Sequence, residues 1–316
     1  MVGTRSGLGA GLRKLGDSIG AEEALRRLYA LAVEREREQG IEPPGPPLLR
    51  IAADGDSLRA TVSACASCLD GWTVGRADDG YEYAERCDCH ELRERALRFN
   101  RARLPAEHLN SVLTRNDGLG LVGYRAQLGD GHDAARRVAL TSAHSCVERI
   151  IDWTHVGGRA PGLLLTGEPG RGKTHLLVGI AREVLRRKVR VRYVTWPRLA
   201  RRLFASLGSR HEGPEDHLAA LIEVDLLVLD ELGVGLDDPT SKRTGIQRDW
   251  CQSIVMGRYS ARRPTVAASN LSIEGDGPGS LLHALGARVL SRMQEVCTSV
   301  VVTGPDLRQQ QREKWT

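Results

Sequence analysis

Five short apolar runs recur in the second half of the chain, at Gly162 to Thr166, Val189 to Thr195, Asp225 to Leu229, Thr265 to Ser269 and Ser299 to Val302. The stretches between them carry apolar residues at helical spacing. Strands that read as continuous apolar runs are covered on both faces, and the covering elements are crossover helices. The alternation predicts an α/β fold built on a five-stranded parallel sheet.

The first half reads differently. Ala21 to Gln39 has amphipathic-helix spacing, with Leu25, Leu28, Tyr29, Ala32 and Val33 on one side and charged residues elsewhere. Pro43, Pro44, Pro46 and Pro47 then make a stiff linker. Glu91 to Arg103 is a charged, helix-like connection, basic through Arg93, Arg95, Arg98, Arg101 and Arg103. The expected organisation is a helical region with its linker (1–48), a small cysteine-bearing module (49–97) and the α/β domain (98–316).

Composition narrows this only slightly. The 316 residues suffice for a large core and a smaller unit, and a net charge of +5 is too mild to identify a partner. Met1 to Gly20 lacks the apolar core of a signal peptide, and no stretch approaches a membrane span, so a cytoplasmic protein with no membrane partner is expected. The seven cysteines are then metal ligands or buried thiols rather than disulfides.

Four of them fall as Cys65-x₂-Cys68, eighteen residues, then Cys87-x-Cys89. Two thiolate pairs joined by a short hairpin supply four soft ligands for tetrahedral Zn²⁺, which explains how so short and polar a stretch folds. The second pair is tighter than usual, leaving His90 as an alternative to Cys89.

The main chemistry follows the first apolar run. Gly167, Glu168, Pro169, Gly170, Arg171, Gly172, Lys173 and Thr174 spell a complete phosphate-binding loop, and the helix-like stretch from His175 to Val184 comes next. Glycines let backbone N–H groups turn toward β- and γ-phosphates, Lys173 adds a point charge, and the Thr174 hydroxyl reaches Mg²⁺. ATP with Mg²⁺ is the implied ligand, and His175 adjoins it. Val224 to Glu231 is an apolar strand delivering two carboxylates at its end, Asp230 for Mg²⁺ and Glu231 for the attacking water. Val189 to Thr195 fits as an extra strand between the two motifs, as in the additional-strand, catalytic-glutamate class of P-loop ATPases. Asn270 ends the next run and suits a γ-phosphate sensor.

Two basic stretches carry further candidates. Arg288 and Arg292, four apart on one helical face with no acid inside Leu285 to Met293, suit the γ-phosphate of a neighbouring subunit in a homo-oligomer, or else face solvent or DNA. Trp196, Arg198, Arg201, Arg202, Phe204 and Arg210 interleave cations with rings, a composition suited to single-stranded DNA, although both rings equally fit a core.

Together these motifs resemble the AAA+ helicase-loader ATPases of the DnaC/DnaI type and their IstB-like transposition-helper relatives, over residues 85 to 305. The phosphate loop and the Leu226 to Gly233 stretch are joined in this by residues 98–105, 257–266 and 286–293. The resemblance implies a DNA-replication ATPase that holds the replicative helicase, engages single-stranded DNA and hydrolyses ATP between subunits. It makes the Leu25, Leu28 and Tyr29 face a candidate helicase contact and the Cys65 to Cys89 unit a helicase or DNA contact. It also makes Arg292 the arginine finger and Arg258 a candidate second intersubunit arginine. Fourteen residues after the last run are too few for a helical lid, so a lidless AAA+ domain is expected. The alternatives are a transposition helper with the same motifs, and a zinc-dependent nucleic-acid adapter that does not hydrolyse nucleotide, against which Glu231 and Asn270 count.

Overall fold

The computed structural model describes residues 48–307 except 66, 69, 70, 79, 115–121, 125, 127, 210, 237 and 239. The helix read at Ala21 to Gln39, its proline linker, Arg210 and residues 308–316 of the stretch that bears on the lid lie outside the described residues. The chain divides into two compact units, one containing Ala60–Leu97 and the other containing Ala52–Arg59 and the chain from Arg98 onward.

Strands β1 (Leu49–Asp54) and β2 (Ser57–Val62) pair with each other. In the smaller unit, β3 (Trp72–Arg76) and β4 (Glu82–Arg86) form an antiparallel hairpin with Trp72 opposite Arg86. Helix α1 (Cys89–Ala102) follows directly.

In the larger unit, β5 (Ser111–Val112) and β6 (Val122–Gly123) make a short parallel pair before the long helix α2 (Asp133–Val156). Then come β7 (Gly162–Thr166), α3 (Lys173–Arg186), β8 (Val191–Thr195), α4 (Trp196–Ala205), α5 (Pro214–Glu223) and β9 (Leu226–Asp230). Helix α6 (Lys242–Ser260), β10 (Thr265–Ala268), α7 (Leu281–Leu285), α8 (Ala287–Val296) and β11 (Cys297–Val301) complete it. The five expected strands form one parallel sheet in the order β11-β7-β10-β9-β8. Every residue of β7 and β9 is buried, as their unbroken apolar runs required.

Two details differ from the sequence reading. Asp225 stays outside β9 because its carboxylate holds the Arg190 guanidinium at 2.7 Å and 2.9 Å, while Asp230 joins the strand. More consequentially, the strand lying between the two motifs in sequence, β8, sits at the sheet edge; the strand between β7 and β9 in space is β10. That order brings the ends of β7, β10 and β9 side by side.

Arg258 corrects an expectation. Instead of facing another subunit, it is 1% exposed on α6. Its guanidinium donates to the carbonyls of Leu221, Val224 and Asp225 at 2.7, 2.9 and 3.2 Å, and to that of Pro264. Buried carbonyls at the end of α5 and the starts of β9 and β10 need donors, and one arginine satisfies them.

Candidate functional site

At the C-terminal end of β7 the chain turns through the phosphate loop into α3. Gly167 and Gly170 adopt φ of 133° and 79°, a region closed to most side chains. A Cβ on Gly167 would strike the Val302 carbonyl, and one on Gly170 the Asp306 carboxylate. The backbone can therefore pass close to its neighbours only as glycine. Lys173 opens α3 and reaches back to donate to the carbonyls of Gly167 and Glu168 at 2.6 and 2.7 Å. Glu168 is exposed and ion-paired with Arg171.

Asp230, 4% exposed at the end of β9, is the centre of the site. Its Oδ2 accepts from the Thr174 hydroxyl at 2.8 Å and from the Tyr193 hydroxyl at 2.8 Å, and its Oδ1 accepts from the Glu231 N–H at 2.8 Å. Glu231 follows with φ of 55°, left-handed for a non-glycine residue. Such backbone is costly by roughly 1–3 kcal/mol and collects at functional positions. Here it turns the chain at the strand end, leaving Glu231 exposed beside the buried Asp230.

A cleft of about 220 Å³ joins these groups. Lys173, Thr174, His175, Asp230, Glu231 and Asn270 all line it, as do Pro169, Gly170 and Gly172. The alignment of β7, β10 and β9 is what places Asn270, just after β10, beside the two carboxylates. Oxygen donors from Thr174 and Asp230 suit Mg²⁺, a hard cation bound through one or two carboxylates plus phosphate. The backbone of the loop and the N-terminus of α3 suit phosphate.

Four cleft-side side chains were not legible as such in the sequence. His108, Tyr124 and Leu307 line the cleft from segments flanking the sheet, and Tyr193 reaches Asp230 from the edge strand. Tyr124 and His175 meet edge to face with ring centroids 5.8 Å apart, and burial pushes the Tyr124 hydroxyl up to about 12. No motif marks these positions.

The arginine candidates lie elsewhere. Neither Arg288 nor Arg292 lines the cleft. Both are exposed on α8, but Arg292 is not free of acids: Glu295 pairs with it at 2.8 Å, and its guanidinium lies 5.0 Å from the centroid of the Tyr259 ring. On α4, Arg201 and Arg202 are exposed, and Arg198 pairs with Asp56. Trp196 is completely buried and offers no stacking face. The Phe204 ring is engaged by Trp250, at 4.7 Å, and by the Arg243 guanidinium, at 4.3 Å. Of the two roles open to these rings, Trp196 fills the core, while Phe204 is part-buried against Trp250 and Arg243.

In the smaller unit, the sulfurs of Cys65, Cys68, Cys87 and Cys89 all lie within 4.8 Å of one another. Cys65 and Cys87 are 3.8 Å apart, and tetrahedral Zn–S bonds of about 2.3 Å would put sulfurs about 3.8 Å apart. Cys89 and not His90 belongs to the cluster. Burial and the Cys89 sulfur push the Cys68 thiol upward, a cost that binding as thiolate to a cation removes.

Comparison with known proteins places residues 147–315 in the family described as IstB-like ATP binding protein. The replicative helicase loader DnaC of Escherichia coli (strain K12) is 30% identical over 156 residues, 49% of this chain and 57% of that protein. The chain thus matches little more than half the length of this relative. The phage-like element PBSX protein XkdC of Bacillus subtilis (strain 168) is 27% identical over 240 residues, 75% of this chain and 81% of the other. Among solved structures, that of DnaI is 28% identical, with a TM-score of 0.45 and coverage of 54% and 86%.

Proposed function

The chain belongs to the IstB-like ATP-binding protein family, and from that premise we propose that it is an ATP-hydrolysing DNA-replication protein that binds the replicative helicase and single-stranded DNA and loads the one onto the other. The observation that carries the hydrolytic part is the single cleft holding Lys173, Thr174, Asp230, Glu231 and Asn270. A site needed only to hold nucleotide has no use for a water-orienting acid at its mouth.

In this reading the loop N–H groups and Lys173 hold the β- and γ-phosphates of ATP. Thr174 and Asp230 hold Mg²⁺, which when bound neutralises charge on the phosphate oxygens. Glu231 orients water for in-line attack on the γ-phosphorus, and Asn270 holds a γ-phosphate oxygen. Arg292, with Arg288 beside it, completes the site of an adjacent subunit in a homo-oligomer. Release from Glu295 is the step that would make Arg292 available. Arg201 and Arg202 track the phosphates of single-stranded DNA. The Cys65, Cys68, Cys87 and Cys89 cluster holds Zn²⁺ and stabilises the module that, with the Leu25, Leu28 and Tyr29 face, contacts the helicase.

The partner assignment leans on the matched part of DnaC, named a replicative helicase loader. The IstB-like description of the family favours a transposition helper as the second reading. Co-purification from cells separates them: recovery of the replicative helicase, lost on deleting residues 1–90, supports the loader, and recovery of a transposase overturns it. ATP turnover stimulated by single-stranded DNA and abolished by Glu231→Gln is the matching enzymatic test; its absence would leave the non-hydrolysing adapter.

A further inference from the structure

Asp230 accepts two hydrogen bonds on one oxygen, and only one of the two donors belongs to the phosphate-loop motif. The other is Tyr193. On the sheet Tyr193 pairs with Val228 and Thr195 pairs with Asp230, so Tyr193 and Asp230 stand on the same face, one diagonal step apart. A tyrosine spans that step, and its hydroxyl lies 2.8 Å from Asp230 Oδ2. Tyr193 is 6% exposed and its hydrogen bond to Asp230 is buried, and a buried phenol requires an acceptor.

Three donors from three elements therefore surround the Asp230 carboxylate: Thr174 from α3, Tyr193 from β8 and the backbone N–H of Glu231. We propose that Tyr193 is a positioning residue for the magnesium nucleotide, holding Asp230 in the orientation that receives the cation without itself touching phosphate or water. This rests on the reading of the cleft as a magnesium–ATP site. Outer partners that orient a ligating group typically affect metal affinity by about 10–100-fold.

The full chain tests this with a fluorescent ATP analogue titrated with Mg²⁺. Tyr193→Phe should raise the Mg²⁺ concentration at half-saturation by about 10-fold or more while leaving affinity in EDTA unchanged. Combined with Asp230→Ala, which removes the acceptor, it should add no further shift. An unchanged Mg²⁺ midpoint overturns the assignment, as does equal weakening with and without Mg²⁺, the signature of a merely structural contact. If Tyr193→Phe fails to fold, Tyr193→His, which retains a ring donor, decides: a wild-type Mg²⁺ midpoint supports positioning by donation, and a folded variant whose affinity falls equally with and without Mg²⁺ overturns it. Wild-type protein that binds the analogue equally with and without Mg²⁺ would instead sink the site reading itself.

Discussion

Thr174 and Asp230, fifty-six positions apart in the chain, meet through a 2.8 Å hydrogen bond between the start of α3 and the end of β9. A hydroxyl and a buried carboxylate are thereby presented together to whatever occupies the phosphate loop. Thr174→Ala and Asp230→Asn should each weaken magnesium-dependent nucleotide binding by about 10–100-fold. Equilibrium binding with and without EDTA checks this, since a general loss of the fold would weaken both conditions alike.

Glu231 stands apart from that pair. It is exposed and held at φ of 55° rather than fixed in the sheet. Glu231→Gln should leave nucleotide affinity within a few-fold of wild type and lower ATP turnover by about 10²-fold or more. Phosphate release under saturating ATP measures it. A variant that still turns over at the wild-type rate would remove Glu231 from the chemistry.

The two arginines proposed to act between subunits now separate sharply. Arg258→Met strips donors from several buried carbonyls and should destabilise the fold by roughly 3 kcal/mol, seen as an early thermal transition. Arg292→Ala, at an exposed position, should leave the thermal transition in place and reduce turnover. Mixing Arg292→Ala with Glu231→Gln subunits then provides the discriminating result: activity above that of either variant alone places Arg292 in a neighbour's site.

For the cysteine cluster, purified protein should carry one equivalent of zinc, measured by elemental analysis. Cys68→Ser should release it and make the smaller unit protease-sensitive, because metal binding there is also folding energy. His90→Ala should retain the metal, since His90 lies outside the four-sulfur group.

Acid sensitivity should trace to the start of α2. Hydrogen bonds from the Arg136 guanidinium hold the Asp130 carboxyl below its usual range, and the Leu128 N–H together with Arg136 does the same for Asp133. A carboxyl depressed on folding contributes stability that is complete above its unfolded value, near pH 4, and is lost as pH falls through the folded one. Replacing both with Asn should lower stability at neutral pH and flatten its decline below about pH 4. Thermal melts across that range decide whether the slope changes.

The apolar runs determined the strands, because a strand covered on both faces has no room for polar alternation, and the five runs became the five strands with their ends moved by no more than two residues. The phosphate loop and the Asp230–Glu231 pair were equally legible, since their chemistry depends on residues adjacent in sequence. Contacts between distant segments were not. Only the crossovers could decide that β10 lies between β7 and β9, that Tyr193 reaches Asp230, and that His108 and Tyr124 border the cleft. Local composition likewise left open the fates of Trp196, which is core, and Arg258, which caps buried carbonyls, because burial is set by what packs above a residue. A sequence pattern records how much of each segment must leave water; which segment it then meets is fixed by the order in which the helices return the chain to the sheet.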